Sequence, residues 1–109
     1  MRDNIKGGAL TETTFLVLLA AYSPIHGYGI MQFIENETEG RVTLGAGTLY
    51  GAINTLVKKK WIESVGSEKS EVKKDYVITE LGKQIAAVEQ RRLIEMVGLA
   101  SKILRGNNS

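Results

Sequence analysis

The sequence predicts a mainly α-helical fold carrying one small β-hairpin. Three observations predict it. Apolar residues recur at helical spacing in several stretches, the last running about 25 residues. Two segments of strand character, Trp61 to Val65 and Val72 to Ile78, flank the wholly polar Gly66-Ser67-Glu68-Lys69-Ser70-Glu71. Glycines and a lone proline punctuate the rest, at Gly7-Gly8, Pro24 and Gly45-Ala46-Gly47.

Residues 1–9 show no apolar periodicity and are expected to form a flexible arm. Thr11 is placed to cap the first helix, with Glu12 in its first turn beside the positive end of the helix dipole. The run Phe15-Leu16-Val17-Leu18-Leu19-Ala20-Ala21 is apolar nearly all round, which implies a buried helix. Ser23-Pro24 ends it, because the residue before proline is pushed out of the α region. His26-Gly27-Tyr28-Gly29-Ile30 opens a second helix reaching about Glu37, with Ile30, Phe33 and Ile34 as its core stripe. Glu35, Glu37 and Glu39 gather at its far end, so that end should face away from a polyanion. Gly40 is expected at the C′ position that stops this helix. Arg41-Val42-Thr43-Leu44 is expected to form a short β-segment.

A third helix begins after Gly45. Leu49, Ala52, Ile53 and Leu56 fall at i, i+3, i+4 and i+7, the spacing of a buried face. The opposite face holds Gly47, Gly51, Asn54 and Lys58, flanked by Tyr50 on one side and by Thr48 and Thr55 on the other. It is narrow, free of acid, and mixes small residues with hydrogen-bonding groups. Such a face suits a DNA major groove, which is about 12 Å wide and admits one helix. The hairpin follows, with Trp61 expected to fill core at the helix–strand junction. Thr79 then caps the last helix. Leu81, Ile85, Val88, Leu93, Met96, Val97, Ala100, Ile103 and Leu104 keep helical spacing along it. At 1.5 Å per residue it is nearly 40 Å long, so its distal apolar stripe needs something beyond a small domain to cover it. Residues 106–109 read as a flexible tail.

Composition narrows the function classes. The 109 residues fit one small domain, and without cysteine there is no disulfide, thiol catalysis or cysteine-ligated zinc. The single histidine, His26, has no second metal-ligating or nucleophilic partner at a recognisable spacing, so a hydrogen-bonded structural histidine is expected. Neither catalysis nor a metal or cofactor is expected. The longest apolar run, Phe15 to Tyr22, is too short for a bilayer, which needs about 20 residues, and no segment reads as a signal peptide. A cytoplasmic protein with no membrane partner is the expectation. The net charge of +2 is small, so placement matters more than total. Arg41, Lys58, Lys59, Lys60, Lys69, Lys73 and Lys74 lie between residues 41 and 79, against Glu63, Glu68, Glu71 and Asp75.

The order is helix, helix, short strand, helix, strand, turn, strand, long helix. That is a winged helix-turn-helix with an added C-terminal helix. In this arrangement the third helix enters the major groove and the hairpin is the wing, lying along the DNA backbone or minor groove. The expected division is 10–78 for the DNA-binding domain and 79–105 for a C-terminal dimerisation helix.

Several motifs, in order, carry a family resemblance. They are Leu10-Thr11-Glu12 with Phe15 and Leu18; His26-Gly27-Tyr28-Gly29-Ile30; Leu44 followed by Gly47-Thr48-Leu49-Tyr50; Trp61-Ile62; and Tyr76 with Thr79-Glu80-Leu81-Gly82. Over about residues 10 to 104 the chain resembles the PadR family of bacterial transcriptional regulators, in its compact branch with a single short C-terminal helix. The resemblance implies a homodimeric DNA-binding repressor whose last helix, helped by the first, forms the dimer interface. It implies that Thr48 and Tyr50 lie near phosphates. In some relatives it implies an apolar pocket at the dimer interface for small aromatic effectors such as phenolic acids and flat drugs. The sequence departs from the pattern at Ala46, where proline is common, and at Asp75, where an aromatic residue is usual. Drug-stacking relatives use a tryptophan in the last helix, and this last helix has none.

The function read from the sequence is therefore a repressor binding an inverted-repeat operator in double-stranded DNA as a homodimer. The expected base-edge contacts are Gly51 by backbone approach, Asn54 and Thr55; asparagine can pair bidentately with adenine. Gly47 lies on the same face. Thr48, Tyr50 and Lys58 are the phosphate candidates, and Lys69, Lys73 and Lys74 the wing candidates. The expected dimer interface is Phe15, Leu93, Met96, Val97, Ala100, Ile103 and Leu104. The alternative class is a winged-helix protein-interaction module without DNA binding.

Overall fold

The computed structural model describes residues 8–66 and 74–106. Their elements run α1 (Glu12–Ala20), β1 (Ile25–His26), α2 (Gly27–Glu37), α3 (Ala46–Lys58), β2 (Ile62–Val65), β3 (Asp75–Ile78) and α4 (Glu80–Gly106). The expected arm and tail lie almost wholly outside the described residues, as do Lys69 and Lys73.

A side-chain cap sets the start of three of the four helices, and α3 starts after Gly45 without one. The Thr11 hydroxyl accepts from the Thr14 amide at 3.1 Å, so it is the N-cap of α1. The Gly29 amide donates to His26 Nδ1 at 3.2 Å, so the histidine caps α2. Thr79 Oγ1 accepts from the Gly82 amide at 3.0 Å and heads α4. Each cap satisfies an amide that has no partner within its helix.

Two expectations need correction. Arg41 to Leu44 is not a strand. The Val42 amide donates to Thr38 Oγ1 at 3.1 Å, and Thr38 Oγ1 donates to the Ile34 carbonyl at 2.8 Å, so the hydroxyl winds this segment back onto α2. The third strand is β1, whose two residues are too few to show a period of two. β3 lies between β1 and β2, antiparallel to both, with Ile25 opposite Tyr76 and Ile62 opposite Ile78. The second correction concerns Gly40. Glu39, at φ 53°, takes the left-handed C′ position and Gly40, at φ 81°, follows it. The Gly40 amide bonds to the Glu35 carbonyl at 2.8 Å and the Glu39 amide to that of Asn36 at 3.2 Å, the paired bonds of a Schellman turn.

α3 ends in the same way, with Trp61 N donating to Leu56 O at 3.0 Å and Lys60 N to Val57 O at 2.9 Å. Here the left-handed residue is Lys60, at φ 66°. A side chain in that conformation costs about 1 kcal/mol that glycine does not pay. Lys60→Gly is therefore expected to stabilise the fold by roughly 1 kcal/mol, read as a rise in Tm of about 4–8 °C by calorimetry.

The core joins α1, α2 and α3 to the sheet. Val17, Leu18, Ile30, Ile34, Leu49, Ile53 and Leu56 are fully buried, and Ile62, Tyr76, Ile78 and Ala86 close it. Trp61 is half-buried against this cluster. The rest of α4 leaves the domain. The radius of gyration is 16.0 Å, against about 13 Å for a compact chain of this length, and the longest axis is 60 Å. Among the described residues, no helix is long and apolar enough to cross a membrane.

Candidate nucleic-acid interface

α3 buries Leu49, Ile53 and Leu56 and half-buries Ala52, which turns the opposite side outward. Gly47, Thr48, Gly51, Asn54, Thr55 and Lys58 are all exposed there. The expected face is thus brought together on one side of one helix. Asn54, Thr55, Lys58 and Lys59 line a shallow open cleft along its C-terminal half.

The glycines of this face have no packing role. A Cβ added at Gly45, Gly47 or Gly51 would meet nothing within 4 Å. Two of them lie inside the helix, where glycine costs roughly 1 kcal/mol relative to alanine. The fold gains nothing from their bareness, which leaves the helix axis open to close approach.

Tyr50 is placed differently from its neighbours. It is half-buried and packs on the core, and its hydroxyl occupies the space a Cβ on Gly27 would need. Gly27 is buried for that reason, and the pair locks the start of α2 to α3. Lys59 is also turned back, its Nζ 5.2 Å from the centroid of the Trp61 ring. Lys74 is half-buried just before β3, and the other two wing lysines lie outside the described residues.

One contact near the face was not anticipated. Arg41, in the loop leading to α3, makes a two-pronged ion pair with Glu12 at the start of α1, with Nη1 donating to Oε1 at 3.2 Å. The hydrogen bond from Arg41 holds the Glu12 carboxyl below the usual carboxylate range, and Glu12 in turn raises the Arg41 guanidinium. No spacing rule links residues so far apart in sequence. Arg41 is thus tied to α1 by an exposed ion pair.

The expected interface residues divide. Phe15 is half-buried against its own core. Leu93, Met96, Val97, Ala100, Ile103 and Leu104 are exposed along the distal half of α4, Val97 at 65% and Leu104 at 66%. Ile94 and Leu99 widen this surface at 63% and 50%. It is an apolar patch that nothing among the described residues covers.

The family described as "Transcriptional regulator PadR-like family" matches residues 15–88. A transcriptional regulator from Clostridium thermocellum shares 24% identity, with 87% of this chain and 90% of that chain covered and a TM-score of 0.63. A PadR family transcription regulator from Clostridium difficile shares 21%, covering 84% of this chain and 97% of that one, with a TM-score of 0.70. Among curated proteins, none matches the chain. At these identities the structures testify to the fold.

Proposed function

Because the chain belongs to the PadR-like family of transcriptional regulators, we propose that it represses transcription by binding an inverted-repeat operator as a homodimer. The observation that supports this best is the outer side of α3: exposed, acid-free, and bare at Gly47 and Gly51 where no packing asks for glycine. In this reading Gly51, Asn54 and Thr55 approach base edges, and Thr48 and Lys58 contact phosphates. Tyr50 remains a phosphate candidate in this reading, and its packing against Gly27 also holds α3 against α2. The distal stripe of α4, from Leu93 to Leu104, is the seam between two copies, with α1 and Phe15 beside it. A small aromatic effector seated at that seam would relieve repression, as the resemblance implies.

Mobility-shift titrations on the DNA upstream of the chain's own gene, with random DNA as reference, test the reading. Asn54→Ala is expected to weaken operator binding by about 1–3 kcal/mol and to relax one base position, while Lys58→Ala weakens all sequences alike. Equal losses on operator and random DNA for Asn54→Ala would remove direct readout there. No retardation by the parent chain at low salt, together with a stable protein partner on pull-down, would instead favour a protein-interaction module.

Gly51→Ala separates stability from binding. The added methyl enters open space, so the fold is expected to gain about 0.5–1 kcal/mol. The same methyl keeps the helix axis off the groove floor, so operator affinity is expected to fall. Calorimetry and shift assays on one preparation would show the two opposite signs; unchanged affinity would deny close approach at residue 51.

A further inference from the structure

α4 has two apolar sides, and each is interrupted once. Leu81, Ile85, Val88, Arg92, Met96, Leu99 and Ile103 follow steps of three and four that repeat after eleven residues. Such a period keeps them on one side of a nearly straight helix. Arg92 is the only charged residue in that row. Gly82, Ala86, Glu89, Leu93, Val97, Ala100 and Leu104 form a second row beside it, and Glu89 is its only charged residue. The first three of this row are buried against the chain's own domain, and most of the remainder stand exposed.

The two interruptions are bonded to each other. Arg92 Nε donates to Glu89 Oε1 at 3.0 Å and Nη2 to Oε2 at 2.7 Å. Glu89 is 4% exposed, and glutamate is almost never so buried unless paired. The Arg92 side chain remains 35% exposed, in the middle of a row whose leucines, valine and methionine are more exposed still.

We infer that the Glu89–Arg92 pair fixes the register in which two copies of α4 associate. The inference rests on the homodimer reading above and deepens it. An apolar row of near-equal side chains tolerates a slip of one helical turn with little loss. A guanidinium in that row does not. It has five N–H donors, and Glu89 engages two of them. The remainder must find water or acceptors on the second copy, and a slipped register sets them against apolar side chains, where an unmet donor is costly. A single polar interruption of an apolar seam is the best-attested use of such a group: it fixes alignment at some cost in stability.

The chain has no cysteine, so one spin label can be placed on it cleanly. Lys102→Cys puts the label on an exposed polar position of α4. Label-to-label distances in the full-length parent are expected to give one narrow peak. In Glu89→Met/Arg92→Leu, which fills the same space with apolar groups, further peaks are expected, displaced by about 5 Å or more, one turn of helix. Arg92→Met alone carries the same expectation should the pair variant not fold. A single unmoved peak in the variant that folds would overturn the inference and leave the dimer standing. A parent with no inter-label distance, monomeric by sedimentation, would overturn both.

Discussion

A Val97→Asp variant is expected to fold as the parent does, to sediment as a monomer, and to lose operator binding by about 100-fold or more. Val97 is 65% exposed in the single chain, so a carboxylate there meets water and leaves the core untouched. The effect appears on association. Closing a second copy over α4 would strip water from an ion without a partner, which costs several kcal/mol, a large share of what a small interface supplies. The operator loss follows from linkage. Two half-sites held on one rigid dimer bind at a high effective concentration, and separate monomers forfeit that gain without losing any contact to a half-site. Sedimentation and a shift assay on full and half operators check it together. A monomer that held the full operator as tightly as the parent would sever pairing from recognition, and an undiminished dimer would move the seam away from residue 97.

Gly82→Ala is expected to lower stability by about 3 kcal/mol, the upper range for overpacking, and to lower Tm by roughly 12–24 °C. A Cβ at Gly82 would collide with the Trp61 carbonyl oxygen and come within 2.7 Å of Ile78 Cγ1. The first of these neighbours is backbone and cannot yield cheaply. The Trp61 carbonyl is held in place by the Thr79 amide at 2.9 Å. A normal melting curve for this variant, measured by circular dichroism, would mean that α4 can shift along the sheet at little cost.

Helix caps and helix faces, set by near neighbours in sequence, are legible. Thr11, His26 and Thr79 bond amides three residues away, and each was read as a cap or as a hydrogen-bonded structural group. The buried row of α3 obeys a local period, and so does the bare row opposite it. Two misses are local, the Thr38 hydroxyl that turns Arg41 to Leu44 back onto α2 and the left-handed Glu39; the others are set by distant chain. β1 became a strand because β3 offers it an edge, a fact that Ile25 and His26 do not announce. The Arg41–Glu12 pair and the packing of the Tyr50 hydroxyl against Gly27 likewise join segments far apart in the chain. Glu89 and Arg92 are an exception of another kind. Their three-residue spacing on a helix is a recognisable pairing signal, but on a helix with several charges nothing local marks which carboxylate will be buried.

Thr79 reaches further than a cap. Its hydroxyl donates toward the Lys60 carbonyl at 2.7 Å while its amide holds that of Trp61, so the exit from α3, the entry to β2 and the root of α4 meet in one backbone knot. The inner half of α4, buried at Gly82, Ala86 and Glu89, is rooted in this knot, and the outer half is a lever arm beyond it. A tilt of about 10° along its roughly 20 Å sweeps its tip by about 3.5 Å. Two such arms clasped at their tips would work as a pair of calipers, in which a small scissoring at the clasp resets the gap between the two jaws.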